Sequence, residues 1–90
     1  MVWRIEFDPS ARKELDKLGS EPARRILEFL SDRVARLDDA RAIGEALKGG
    51  KLGAFWRYPV GDYRIIVDIQ DKALLILVIR IGNRRDVYRR

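Results

Sequence analysis

The chain contains no cysteine and no histidine. The first absence excludes a disulfide framework and a catalytic thiol, and the second excludes a Ser-His-Asp triad and a histidine haem ligand. Together they exclude a zinc site of ordinary type, and no metal or other cofactor is expected. Any acid–base chemistry must use Asp, Glu, Lys, Arg or Tyr. Long apolar runs are also missing: the longest, Ala73 to Ile79, is seven residues, far short of the roughly 18 needed to span a bilayer. Residues Met1 to Phe7 alternate apolar and charged side chains and lack the apolar region of a secretory signal, so a cytoplasmic location and no membrane partner are expected.

What is present suits a small folded domain. Ninety residues with 47% apolar and 37% charged side chains read as one domain, 1–90, with a core of its own. The net charge of +5 is compatible with a polyanionic partner, and its position along the chain matters more than its size.

The hydrophobic period predicts an α+β fold: an N-terminal strand, a two-helix hairpin, then a three-stranded antiparallel meander. In the opening strand Trp3, Ile5 and Phe7 share one side. Asp8-Pro9 is a helix start, and the helix should run to Leu18 and close at Gly19. Ser20-Glu21-Pro22 repeats the signal and opens a second helix, with an apolar stripe at Ala23, Ile26, Leu27, Leu30, Val34 and Leu37. Asp38 to Lys48 is read as one or two further helical turns, ended by the glycines that follow. The period then becomes two: strands are expected over Ala54–Val60, Tyr63–Ile69 and Ala73–Ile81, with turns at Gly61-Asp62 and Gln70-Asp71-Lys72. The last strand places Leu74, Ile76 and Val78 on one face and Leu75, Leu77 and Ile79 on the other. Two helices cover one face of a sheet this small, so an apolar patch closed by a partner is expected on the other.

Two groups of residues lack an evident structural purpose. Arg57 interrupts the aromatic strand Phe55-Trp56-Arg57-Tyr58, and Arg64 follows the Gly61-Asp62 turn, so a small register adjustment puts both on one face. Adjacent cations are unfavourable unless a carboxylate, here Asp62 or Asp68, or a bound anion relieves them; both readings stand at this point. The segment Arg80 to Arg90 holds five arginines and one tyrosine, which suits either a single-stranded nucleic acid or a solvated chain end. Much of the positive balance lies between Arg57 and Arg90.

Leu47-Lys48-Gly49, then Phe55-Trp56-Arg57-Tyr58-Pro59-Val60-Gly61-Asp62-Tyr63-Arg64, then Val78 through Tyr88 with the terminal Arg-Asp-Val-Tyr resemble the successive motifs of RelE toxins in the RelE/ParE toxin–antitoxin superfamily. The resemblance runs over nearly the whole chain. It implies a fold like that of the microbial ribonucleases and a toxin that cleaves messenger RNA in the ribosomal A site, neutralised by a cognate RelB-like antitoxin in a hetero-oligomer. It further implies Arg57, Arg64, Arg84 and Tyr88 as catalytic residues, with Lys48, Lys51, Arg80 and Arg85 as RNA contacts. The chain departs from many relatives at Phe55 and Asn83, where those carry basic residues or histidine. The alternative is a ParE-like inhibitor of DNA gyrase, or a basic binding module, on the same fold.

Overall fold

The computed structural model describes residues 2–47 and 55–85. Strand β1 (Arg4–Phe7) leads into helix α1 (Pro9–Lys17), α2 (Ser20–Asp32) and a 3-10 turn at Val34–Arg36. Strands β2 (Glu45–Ala46), β3 (Trp56–Val60), β4 (Tyr63–Gln70) and β5 (Leu75–Asn83) follow. The sheet order is β1-β5-β4-β3-β2, parallel between β1 and β5 and antiparallel elsewhere. Helix α1 packs over β5 and α2 over β3, so both helices lie on one face. Leu15, Ile26, Leu30, Tyr58, Ile65, Val67, Ile76, Val78 and Ile81 form the core between the layers. Fully burying one such side chain contributes about 1.5–3 kcal/mol.

The opening strand, α1 and the Gly61-Asp62 turn follow the sequence reading. Asp8 caps α1, its carboxylate accepting from the Ser10 amide at 3.1 Å, with Pro9 in the first turn. Four readings need correction, each because a tertiary contact overrides a local signal. Helix α2 stops at Asp32 although the apolar stripe continues to Leu37. Past that point the chain is held to the start of β1: the Trp3 amide donates to Ala35 O at 2.8 Å and the indole N–H to Leu37 O at 3.0 Å. Val34 and Ala35 are still buried, in 3-10 geometry. Its start also differs: the N-cap is Gly19, at φ +91°, and Ser20 is already helical.

Second, residues 38–47 form turns and strand β2 in place of further helix. The Tyr58 hydroxyl donates to Ala40 O, and Gly44 lies so close to the Tyr58 ring that a Cβ there would stand 3.0 Å from it. These contacts lay the segment along β3. Third, the turn after β4 is a 3-10 turn at Asp71–Ala73 closed by Leu74 at φ +49°, so β5 starts two residues later than expected and runs to Asn83. Arg41 fixes that turn through two bonds to the Asp71 carboxylate, at 2.9 and 2.8 Å. These bonds hold the Asp71 carboxyl below its usual range.

Fourth, among the described residues β5 does not present the expected apolar patch. Ile66 pairs with Arg80 while Val67 pairs with Val78, so Ile79 is an extra residue, a β-bulge. Beyond the bulge Ile81 faces the core and Arg80 faces away from the helices. On that open face Leu75 is buried and Leu77 half-buried. Arg4 and Glu6 of β1 flank them on one side, Gln70 and Asp68 of β4 on the other. Long polar side chains lay their stems over apolar neighbours and keep their heads in water. Among the described residues the large exposed apolar side chains are Val2, Leu27 and Leu74.

Candidate functional site

The sheet face opposite the helices carries the arginines singled out in the sequence. Arg57 pairs with Ile66 and Ile66 with Arg80, so the three stand in one row across β3, β4 and β5. Ile66 is fully buried yet lies outside the core cluster, on the face that also carries Leu75 and Leu77. Arg64 pairs with Pro59 and Gly82, one step along β4 on the same face. No register adjustment is needed. With strands about 4.8 Å apart and residues on one face about 7 Å apart, Arg57, Arg64 and Arg80 form a triangle with Cα sides of roughly 8–10 Å. Extended guanidinium groups from its corners can meet on one phosphate. Gly82 adds no side chain opposite Arg64.

A carboxylate does relieve Arg57, and it is neither Asp62 nor Asp68. Glu45, directly opposite Arg57 on β2, accepts from its Nη2 at 2.9 Å. The Arg57 side chain is 31% exposed and that of Glu45 61%, so this pair is partly solvated and exchangeable. Arg64 folds back on its own turn: its Nη1 donates to Gly61 O at 3.0 Å and to Tyr63 O at 2.8 Å. The Arg84 amide donates to Asp62 O at 2.8 Å, so the chain leaving β5 is pinned to that same turn. Arg85 follows, its amide donating to the Asn83 side chain at 3.0 Å. Asp62, Asn83, Arg84 and Arg85 line an open depression of about 200 Å³.

The structure thus brings Arg57, Arg64 and Arg80 onto one face, with Arg84 and Arg85 at its rim. Lys48, Lys51 and Tyr88 lie outside the described residues. Among the described residues, no three acidic side chains converge as metal ligands would. Two acids that shape the site were missed in the sequence. Glu45 sits in a stretch read as helix. Glu14, whose carboxylate accepts from the Ile81 amide at 2.9 Å, carried a usable signal: it lies on the stripe of Ala11, Leu15 and Leu18, where an acid needs a partner.

A family model described as the ParE toxin of the type II toxin–antitoxin system parDE matches residues 5–88. Toxin RelG of Mycobacterium tuberculosis is 28% identical over 90 residues, covering all of both chains. The toxin of the RelBE2 toxin–antitoxin complex from the same organism has a similar fold, with a TM-score of 0.83 at 23% identity over 96% of this chain and 95% of that one. The archaeal RelE–RelB complex from Pyrococcus horikoshii gives a TM-score of 0.73 at 26% identity, over 97% of this chain and 100% of the other. With the motif-bearing strands, the arginine-lined face and these similarities in agreement, the chain belongs to the ParE toxin family, within the RelE/ParE superfamily of type II toxin–antitoxin toxins.

Proposed function

We propose that this toxin is a ribosome-dependent mRNA endonuclease, acting without a metal in the cytoplasm and neutralised by a RelB-like antitoxin that binds it as a hetero-oligomer. The observation that carries the reading is the triangle of Arg57, Arg64 and Arg80 on the sheet face opposite the helices, with Arg84 fastened to its rim. Solved relatives of the same fold in complex with RelB support the partner.

Cleavage proceeds by attack of a ribose 2′-oxygen on the adjacent phosphorus. The O2′–P bond forms, the P–O5′ bond breaks, and the products are a cyclic phosphate and a 5′-hydroxyl. The proton of the 2′-hydroxyl must go to a base and the departing 5′-oxygen must receive one. Tyr88 is assigned as that base, since a cation brought beside its phenol would favour the phenolate. Arg57 and Arg64 hold the phosphoryl oxygens as charge builds on them. Arg84 stabilises the leaving oxygen by hydrogen bonding, the proton coming through water, because a guanidinium is a poor acid. Lys48, Lys51, Arg80 and Arg85 hold the flanking backbone. The ribosome supplies orientation, which in such a site accounts for much of the rate.

Primer extension on a translated message tests this. New 5′ ends within codons are expected, and Arg84→Ala should lower their rate of appearance on the order of 10²–10³-fold, the usual loss for one preorganised charge donor. Near-normal cutting by Arg84→Ala overturns the mechanism. The match to a family model described as ParE favours a second reading, inhibition of DNA gyrase. Intact message with accumulating gyrase–DNA breaks would identify it.

A further inference from the structure

We infer that Glu14 is a positioning residue, which anchors the edge of β5 beyond its pairing with β1 and thereby sets the direction of Arg80 on the open face. The inference rests on the RNA-cleaving reading above and adds to it a residue on the opposite side of the sheet.

Strand β5 is nine residues long, while its neighbour β1 has four. Their parallel register runs from Arg4↔Leu75 to Phe7↔Val78, and the Asp8 amide donates to Val78 O at 2.8 Å as the chain turns into α1. From Ile79 onward that edge of β5 faces α1, and among the described residues no strand pairs with it there. The bulge at Ile79 falls at this point. A bulge disrupts the ladder and bends the strand, so the residues just after it are those most in need of another anchor.

Glu14 supplies that anchor. It projects from the middle of α1 and accepts from the Ile81 amide at 2.9 Å in a half-buried setting. A hydrogen bond to an ionised acceptor is shorter and stronger than a neutral one. Ile81 itself is almost fully buried in the core, so its side chain and its amide are both fixed. Arg80, its immediate neighbour, must then point to the opposite face, where it completes the row with Ile66 and Arg57. Without the carboxylate, a half-buried amide loses its acceptor at the bulge. Arg80 then rotates relative to Arg57, and Arg64 and Arg84 keep their own anchors at the β3–β4 turn.

The test is a double-mutant cycle between Glu14 and Arg80, read by the rate of ribosome-dependent cleavage of a translated message at a temperature where every variant is folded by circular dichroism. Glu14→Ala should lose on the order of ten- to a hundredfold, the usual effect of a misplaced positioning contact. Glu14→Gln keeps an acceptor oxygen and should stay within about threefold of the parent. In an Arg80→Ala chain, Glu14→Ala should cost little more, since residues acting through one contact are not additive. Amide exchange at Ile81 should quicken in Glu14→Ala and not in Glu14→Gln. Unaltered cutting by Glu14→Ala, or an undiminished loss in the Arg80→Ala background, overturns the inference. Absence of cutting by the unsubstituted chain overturns the parent reading instead, so the two failures are told apart.

Discussion

Tyr58→Phe removes one oxygen from the centre of the fold. The Tyr58 ring is fully buried, packs edge-on against Phe29 at 5.9 Å between centroids, and abuts Gly44. Phenylalanine keeps those contacts and creates no cavity of consequence, so the change isolates the hydroxyl and its bond to Ala40 O. Leaving a buried carbonyl without its donor costs about 1–3 kcal/mol, and each kcal/mol lowers the melting midpoint of a domain this size by about 4–8 °C. Burial also pushes the Tyr58 phenol from 10.0 up to about 12, with the Arg41 cation offsetting part of the rise. The folded state therefore holds the phenolic proton to higher pH than the unfolded chain does. Its contribution to stability is complete below pH 10 and is lost as the pH rises through the interval up to about 12. At pH 11 the loss comes to about 1.4 kcal/mol, and the phenylalanine variant has no such group to titrate. Urea unfolding of both proteins at pH 8 and at pH 11 measures it: the gap between them should narrow by about that amount. A gap that stays constant, or one absent at pH 8, refutes the reasoning.

Asp8→Ala removes the cap of α1 and should cost about 1 kcal/mol, read as a lower urea midpoint with an unchanged slope. Gly44→Ala places a Cβ 3.0 Å from the Tyr58 ring and 3.3 Å from Arg57 O; neither neighbour can retreat easily, and a loss of about 1–3 kcal/mol in thermal unfolding is expected. Glu45→Gln weakens the competitor for Arg57. Since a solvated pair of this kind is worth up to about 1 kcal/mol, affinity for a single-stranded RNA oligonucleotide should rise by up to about fivefold in low-salt fluorescence anisotropy. Unchanged or weaker binding would show that Glu45 does not compete with phosphate.

Where local signals and tertiary contacts agree, the sequence was a sufficient guide. Asp8-Pro9 starts α1, Gly61-Asp62 turns the hairpin, and the period-two run from Tyr63 lies where it was expected. Arg57 and Arg64 could be proposed as neighbours because the strand period and the turn between them both survive folding, whereas Arg80 joins them only through the pairing of β4 with β5. Long-range partners did the rest. Nothing near Ala35 or Leu37 announces that Trp3, more than thirty residues earlier, will claim their carbonyls. Glu45 looked helical because its role is defined by Arg57 across a strand pair. The bulge at Ile79 was invisible for a similar reason: an apolar run such as Leu75 to Ile79 satisfies either face, so only pairing with β4 decides which residue is extra.

The parallel pairing of β1 with β5 also bears on when in synthesis the sheet can close. Arg4 finds its partner in Leu75, so the edge of the sheet and the lid of the core wait for residues made near the end of synthesis. The helical hairpin can form early from local contacts, whereas the face bearing Arg57, Arg64 and Arg80 requires three strands that arrive in sequence after it. Folds dominated by such distant contacts close slowly. A nascent chain still attached to its own ribosome would therefore carry Arg57, Arg64 and Arg80 without the geometry that sets them on one face.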